Sequence, residues 1–251
     1  MRTLIAAVIG FASGIASGAF GIGGALLSTP GLRWVLDAPA LIAVGTTLPV
    51  IIPTALTGVY TYARNKLIDV RTASILCSTG AAFAVMGALT TTLVPGEVLL
   101  VFTAALIGVL SIRMVRTSHT GRQEVQRPSV PVLLVVGTVS GFISGLLGVG
   151  GGVILVPVLT VVLGFPVKTA LGTSLVVVAA QSIPGSITHA LLGNVDWRIV
   201  GGLVIGVVPG ARIGARAAVA AEDAKLRIVV GTAMGVLALV FGLGELRNLI
   251  R

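Results

Sequence analysis

SGAFGIGGALLSTPGL runs from Ser17 to Leu32, and SGLLGVGGGVILVPVL runs from Ser144 to Leu159. Each stretch crowds glycines into an apolar run, where every glycine costs a helix about 1 kcal/mol against alanine. Neither stretch is expected to hold as one continuous helix. The two lie 127 residues apart, and that offset continues without a gap beyond the motif. Pro39 falls on Pro166, Gly45 on Gly172, Thr46 on Thr173 and Leu48 on Leu175, while Asp69 falls on Asp196 and Arg71 on Arg198. Compositional bias aligns some glycines and valines, but not two Asp-x-Arg signatures in register. The chain is a duplicated unit, an arrangement typical of secondary transporters.

The composition says where such a unit lives. Of the 251 residues 55% are hydrophobic and only 10% charged, and the mean hydropathy is +1.09. A soluble domain carries about 25% charged residues, so a water-soluble enzyme is excluded. Apolar runs near or beyond the ~18 residues that suit a membrane helix recur throughout. In the first half they cover 3–36, 40–62, 73–94 and 98–115; in the second, 131–163, 167–190, 199–219 and 226–246. The expected fold is an all-α polytopic membrane protein of about eight transmembrane helices in two homologous four-segment repeats. The first segment of each repeat is broken at its glycine motif. Residues 1–115 form the first repeat, 116–130 a polar linker and 131–251 the second repeat. Met1 to Phe20 could pass for a signal peptide, but the same pattern recurs, uncleavable, in mid-chain.

The segment from Thr3 to Leu36 is too long for one simple span. As a straight helix it would reach about 51 Å, across a hydrocarbon core of about 30 Å. It must tilt, break or double back. Doubling back would make the two repeats inverted, whereas four simple spans per repeat would make them parallel.

Seventeen Lys and Arg against eight Asp and Glu give a net charge of +9. Nucleic-acid binders gather such an excess on one face; here it is scattered into the breaks between apolar runs, so nucleic acid is not an expected partner. With eight simple spans, Arg2, Arg64, Lys66, Arg71, Arg113, Arg116, Arg198 and the linker and C-terminal arginines share one side. Arg33, Lys168, Arg212, Arg216, Lys225 and Arg227 fall toward the other. The positive-inside rule then places the linker and both termini in the cytoplasm, and the chain in the cell membrane. The single cysteine, Cys77, sits in an apolar run as a packing residue.

Candidate chemistry gathers at the breaks. Backbone groups freed at membrane depth are tolerated only where they line a cavity or meet protein partners. A helix restarting at Gly21, Gly23 and Gly24, or at Gly148, Gly150, Gly151 and Gly152, would present bare N–H groups and a positive dipole end to an anion. The competing reading is close helix packing through small residues. Thr46, Thr47, Thr173 and Ser174, again in register, can donate to an anion or bond back to their own helix. Gln181 and Arg212 are polar residues within the apolar runs, and a cation at such depth is usually paired or functional. For Arg212 the partner is a solute anion, a helix-end carbonyl or a lipid phosphate. Asp69 and Asp196 read as helix N-caps, and all eight acids fall at or near span ends. No spacing suits a metal, no cofactor motif is present, and no nucleophile–base pair is evident.

Two apolar halves, each with SG-x-x-G-x-GG followed closely by proline and then by P…GT(T/S)L, resemble the sulfite exporter TauE/SafE family, also called the TSUP transporters. The first motif departs from the family form at Ala25, where a third glycine would stand. The resemblance implies a secondary transporter that exports small sulfur oxyanions such as sulfite, sulfoacetate or thiosulfate by alternating access. The expected partners are a small anionic solute and the lipid bilayer, with homo-oligomerisation left open. Rival readings are a passive anion channel, an assembly protein without a solute, and an intramembrane enzyme acting on a lipid phosphate.

Overall fold

The computed structural model describes residues 2–93, 96–116, 128–148 and 150–249, and these are helical with no strand among them. The helices are α1 (Arg2–Phe20), α2 (Ala25–Val35), α3 (Ala40–Arg64), α4 (Val70–Thr90) and α5 (Gly96–Arg116) in the first half. In the second they are α6 (Val130–Leu147), α7 (Gly152–Pro157, extended by a π-helical turn over Val158–Val162), α8 (Val167–Leu191), α9 (Trp197–Ala220) and α10 (Asp223–Leu249). Six of them, α1, α3, α4, α6, α8 and α9, are long and apolar enough among the described residues to cross a membrane. Most of the linker, 117–127, lies outside the described residues.

Each long first segment breaks at its glycines, as its composition requires, and then turns back. α2 returns along α1: Gly24 lies against Ser17 and Ser13, Gly31 against Ile9, and Leu32 and Leu36 share a core with Ala6. A hairpin of this kind makes no net crossing. The directions of the remaining helices follow from their contacts. Gly10, Gly14 and Gly18 of α1 meet Leu203, Val207 and Ala211 of α9 in parallel order. Gly137, Gly141 and Gly145 of α6 meet Leu76, Gly80 and Ala84 of α4 in the same way. Between the central helices the order reverses, with Gly58 of α3 against Leu175 of α8 and Gly185 of α8 against Leu48 of α3. Thus α1, α3 and α9 run one way and α4, α6 and α8 the other. The repeats are inverted.

The parallel pairs are held by backbone contact, which only glycine permits. A Cβ at Gly145 would strike the Ala84 carbonyl oxygen, and one at Gly14 the Val207 carbonyl oxygen. In lipid, where apolar side chains gain little from meeting each other, such close approach is the main source of helix–helix attraction.

Inversion overturns the sorting of charges expected for eight simple spans. One face carries the start of α1, the α2–α3 turn and the α8–α9 turn. The opposite face carries the α3–α4 turn, the end of α5, the start of α6 and the α9–α10 turn. Arg64 therefore sits with Arg212 and Arg216, not across the membrane from them, and Lys168 pairs with Asp223 at 3.3 Å on that same face. Among the described cations Arg2, Arg33, Arg198 and, near the end of α10, Arg247 belong to the first face, and the linker joins the face opposite the N-terminus of α1. The earlier placement of linker and termini on one side fails because each glycine hairpin removes a crossing.

Two substitutions separate packing from propensity. Gly145→Ala is expected to lower stability by about 1–3 kcal/mol, read as a clear fall in Tm in detergent. Gly201→Ala, whose Cβ would meet nothing within 4 Å, should leave Tm unchanged or raise it.

Candidate functional site at the paired helix breaks

The two breaks meet at the centre of the molecule. Gly23 and Gly150 both lie against Ile51 of α3 and Val178 of α8, halfway along those helices. A Cβ at Gly152 would sit 2.6 Å from the Gly21 carbonyl oxygen. The glycines adopt one conformation twice: φ is 70°, 79° and 87° at Gly21, Gly23 and Gly24, and 63°, 80° and 63° at Gly148, Gly150 and Gly151. These left-handed values favour glycine over any residue with a Cβ. Gly152 is different, for it needs glycine only to clear the other break. Its counterpart Ala25 carries a Cβ and is buried.

The hydroxyls beside the breaks work across the repeats. Ser174 Oγ donates to the Gly21 carbonyl at 2.8 Å, with the Leu171 carbonyl at 2.9 Å also in reach. Thr47 Oγ1 does the same for the Gly148 carbonyl at 3.0 Å, with Val44 at 2.8 Å. Thr173 Oγ1 accepts from the Asp69 N–H at 2.9 Å, and Thr46 Oγ1 from the Asp196 N–H at 3.0 Å. The expected bond back to the own helix is present at Thr47 and Ser174, and all four residues add a partner in the backbone of the opposite repeat. Each Asp in turn caps its helix, Asp69 accepting from the Thr72 N–H at 2.8 Å and Asp196 from the Arg198 N–H at 3.0 Å. Tyr62 and His189 complete the set: the phenol donates to the Gly18 carbonyl at 3.0 Å, and His189 Nε2 lies 3.1 Å from the Gly145 carbonyl.

What remains uncommitted beside the breaks is a second group of polar atoms. Ser13 and Ser17 of α1, Ser28 and Thr29 of α2, and Ser144 of α6 are buried with hydroxyls that bond to nothing. Gln181 is fully buried; its Nε2 donates to Ser140 Oγ at 3.0 Å, but its Oε1 has no partner. A Cβ at Gly151 would lie 2.5 Å from that Oε1 and 3.3 Å from Ser144 Cβ, while one at Gly24 would lie 3.5 Å from Ser17 Cβ and from Thr54 Cγ2. Burying a polar group without a hydrogen bond costs about 1–3 kcal/mol, and these are concentrated where the helices break. The serines escaped the sequence reading, although SG-x-x-SG at 13–18 and again at 140–145 places them at i and i+4, on one helix face.

Arg212 stands apart. It lines a pocket with Tyr60, Thr61, Arg64, Asn65 and Arg216, on the outward side of α9 with the exposed Ile205, Val208 and Ile213. The structure brings the glycines, Thr47, Ser174 and Gln181 to the breaks, sets Thr46 and Thr173 against the turns at Asp196 and Asp69 on opposite faces, and leaves Arg212 on the periphery.

Removing one cross-repeat bond should register as stability. Thr47→Val keeps the shape and deletes the donor to Gly148, and is expected to cost about 1–3 kcal/mol by leaving that carbonyl unsatisfied, measured as a lower Tm of purified protein.

Residues 6–241 match the family model described as Sulfite exporter TauE/SafE. The Bacillus subtilis probable membrane transporter protein YunE is 27% identical, covering 86% of this chain and 88% of its own length. A probable membrane transporter protein of Methanocaldococcus jannaschii is 25% identical over 92% of each chain. One from Xylella fastidiosa strain 9a5c is 28% identical, covering 82% of this chain and 80% of its own. No solved structure gives a match.

Proposed function

The chain belongs to the sulfite exporter TauE/SafE family, a multi-pass membrane protein related to membrane transporters, and we propose that it exports a small sulfur oxyanion by alternating access around the paired breaks. The observation that carries this reading is the cluster of unpartnered buried hydroxyls, with the Gln181 amide, beside two inverted breaks in mid-molecule. Inverted repeats with discontinuous helices at the midplane are the recurring architecture of secondary transporters. α5 and α10, packed antiparallel through Gly108 and Ala238, serve as the seventh and eighth spans.

Several features favour an oxyanion. The first-turn N–H groups of α2 lack helical partners and start at Gly24, in the middle of the protein. Ser13, Ser17, Ser28, Thr29 and Ser144 supply donors for oxygen atoms, and the backbone of Gly21, Gly23, Gly24, Gly148, Gly150, Gly151 and Gly152 shapes the space between them. Thr47 and Ser174 hold that backbone in place, and Thr46 and Thr173 tie the neighbouring turns at Asp196 and Asp69. In this reading Gln181 Nε2 and the serine hydroxyls discriminate among anions by geometry rather than by charge. Sulfite or thiosulfate leaving as a dianion gains about 2.3 kcal/mol per charge per 100 mV of inside-negative potential. Two charges are worth roughly three decades of concentration ratio, so export needs no coupling carboxylate.

The same inversion supports one orientation. Most described cations lie on the face of the α3–α4 and α9–α10 turns, and the positive-inside rule makes that face cytoplasmic. The N-terminus of α1 and the C-terminus of α10 then face outward, the reverse of the placement drawn from eight simple spans.

Two experiments test these assignments. The double variant Ser17→Ala, Ser144→Ala removes hydroxyls without partners, so Tm should hold or rise while anion-induced stabilisation is lost. For wild type, a millimolar binder among sulfite, thiosulfate and sulfoacetate, supplied at tens of millimolar, should stabilise by about 1–2 kcal/mol. The function is refuted if no sulfur oxyanion shifts Tm or drives potential-dependent flux from proteoliposomes. For orientation, Cys77→Ala protein carrying Val70→Cys or Trp197→Cys, exposed and equivalent positions on opposite faces, is treated with an impermeant maleimide. Position 197 should label in intact cells and position 70 only after lysis; the opposite pattern reverses the assignment.

A further inference from the structure

A second anion site lies outside the centre. Between the ends of α3 and α9 on the basic face is a pocket of about 310 Å³, lined by Tyr60, Thr61, Arg64, Asn65, Arg212 and Arg216. Three guanidinium groups converge on it, and among the described residues no carboxylate lines it. The described ion pairs of that face, Lys168 with Asp223 and Lys225 with Glu222, use other cations. Arg64 donates to the Tyr60 hydroxyl at 3.2 Å and lies 5.5 Å from the Tyr60 ring centre. That contact fixes its direction without neutralising it. Arg212 and Arg216 stand four residues apart on α9, where like charges repel. Asn65 spends its amide on the Thr61 carbonyl at 2.8 Å. Among the described residues the pocket gathers three cations and no anion.

Its position says which anion. Arg212 is eight residues inside the end of α9, about 12 Å along the helix, a depth at which a long cationic side chain reaches the headgroup layer. From the arginines toward mid-membrane the same helix faces carry exposed apolar side chains, Leu56 on α3 and Val208 and Ile205 on α9. Charge at one end and apolar surface along the other match a phosphate headgroup with acyl chains beneath it. Basic pockets between membrane helices on the cytoplasmic side bind anionic lipid headgroups in this manner, and guanidinium forks suit phosphate oxygens.

We propose that the α3–α9 groove is a binding site for an anionic phospholipid, its phosphate held by Arg64, Arg212 and Arg216 and its chains lying along Leu56 and Val208. The glycine ridge Gly202, Gly206, Gly210 and Gly214 fixes this outward facing, because it seals the opposite side of α9 against α1. The site is independent of the central breaks and of what they transport.

The test uses the full-length protein with phosphatidylglycerol as probe. Native mass spectrometry from phosphatidylglycerol-containing micelles is expected to retain one lipid more for wild type than for Arg212→Gln, Arg216→Gln protein. The Tm rise produced by phosphatidylglycerol over phosphatidylcholine should fall by at least half in that variant and in Arg64→Gln alone. Lys66→Gln, an exposed cation of the same face outside the pocket, controls for general charge and should behave as wild type. Equal lipid retention and equal Tm response in wild type and pocket variants would overturn the proposal. So would an arginine-dependent shift of the same size with glycerol 3-phosphate or with thiosulfate, which would assign the pocket to a soluble anion. Variants that fold with wild-type Tm in phosphatidylcholine make either comparison decisive, and the single Arg64→Gln change provides it if the double variant does not fold.

Discussion

A helix that stops in the middle of a membrane exposes carbonyls and N–H groups that lipid cannot satisfy, and the rest of this structure follows from how they are met. Each repeat breaks its first helix, and the other repeat supplies the partners. The Gly21 carbonyl takes its hydrogen bond from Ser174, the Gly148 carbonyl from Thr47, and the carbonyls of Gly18 and Gly145 face Tyr62 and His189. Neither break can exist alone. The reciprocity also fixes the architecture, since two copies that complete each other across α3 and α8 must be related by a twofold, and these helices run antiparallel.

That symmetry is not perfect, and its lapses are informative. Tyr62 and His189 do the same work with different chemistry. Gln181 stands in the place of Thr54 and carries the unpartnered oxygen beside Gly151. Ser28 and Thr29 in α2 correspond to Leu155 and Val156 in α7, so uncommitted hydroxyls are richer around the first break than the second. The duplicated scaffold is conservative at the cross-links and divergent in the polar atoms left over, as expected if the former hold the fold and the latter meet a solute.

Much of this is legible in the sequence, and the remainder is not for definite reasons. The fixed offset announces the duplication, the glycine runs place both breaks, and Asp69 and Asp196 read correctly as caps. The return of α2 along α1 does not follow from segment length, because tilting, breaking and doubling back all resolve the same excess; only contacts such as Gly31 with Ile9 decide. The charge sorting failed with it. Thr47 and Ser174 are legible with their local carbonyl partners but not with their cross-repeat ones, since a partner a hundred residues away leaves no periodic trace. Arg212 was readable after all. The glycines at 202, 206, 210 and 214 mark the packed side of α9, and residues 212 and 216 are two positions out of phase with them, on the far side.

The pairing of α1 with α9 sets a schedule for biosynthesis. The ridge Gly10, Gly14 and Gly18 is among the first parts of the chain to emerge, yet the backbone it packs against, from Leu203 onward, is among the last. At roughly 5–20 residues per second, α1 waits on the order of 10–40 s for its neighbour, while α3 to α8 assemble beside it. During that interval its notched glycine face has lipid, or the insertion machinery, for company. The hold on α1 is therefore completed late, once α9 has been made.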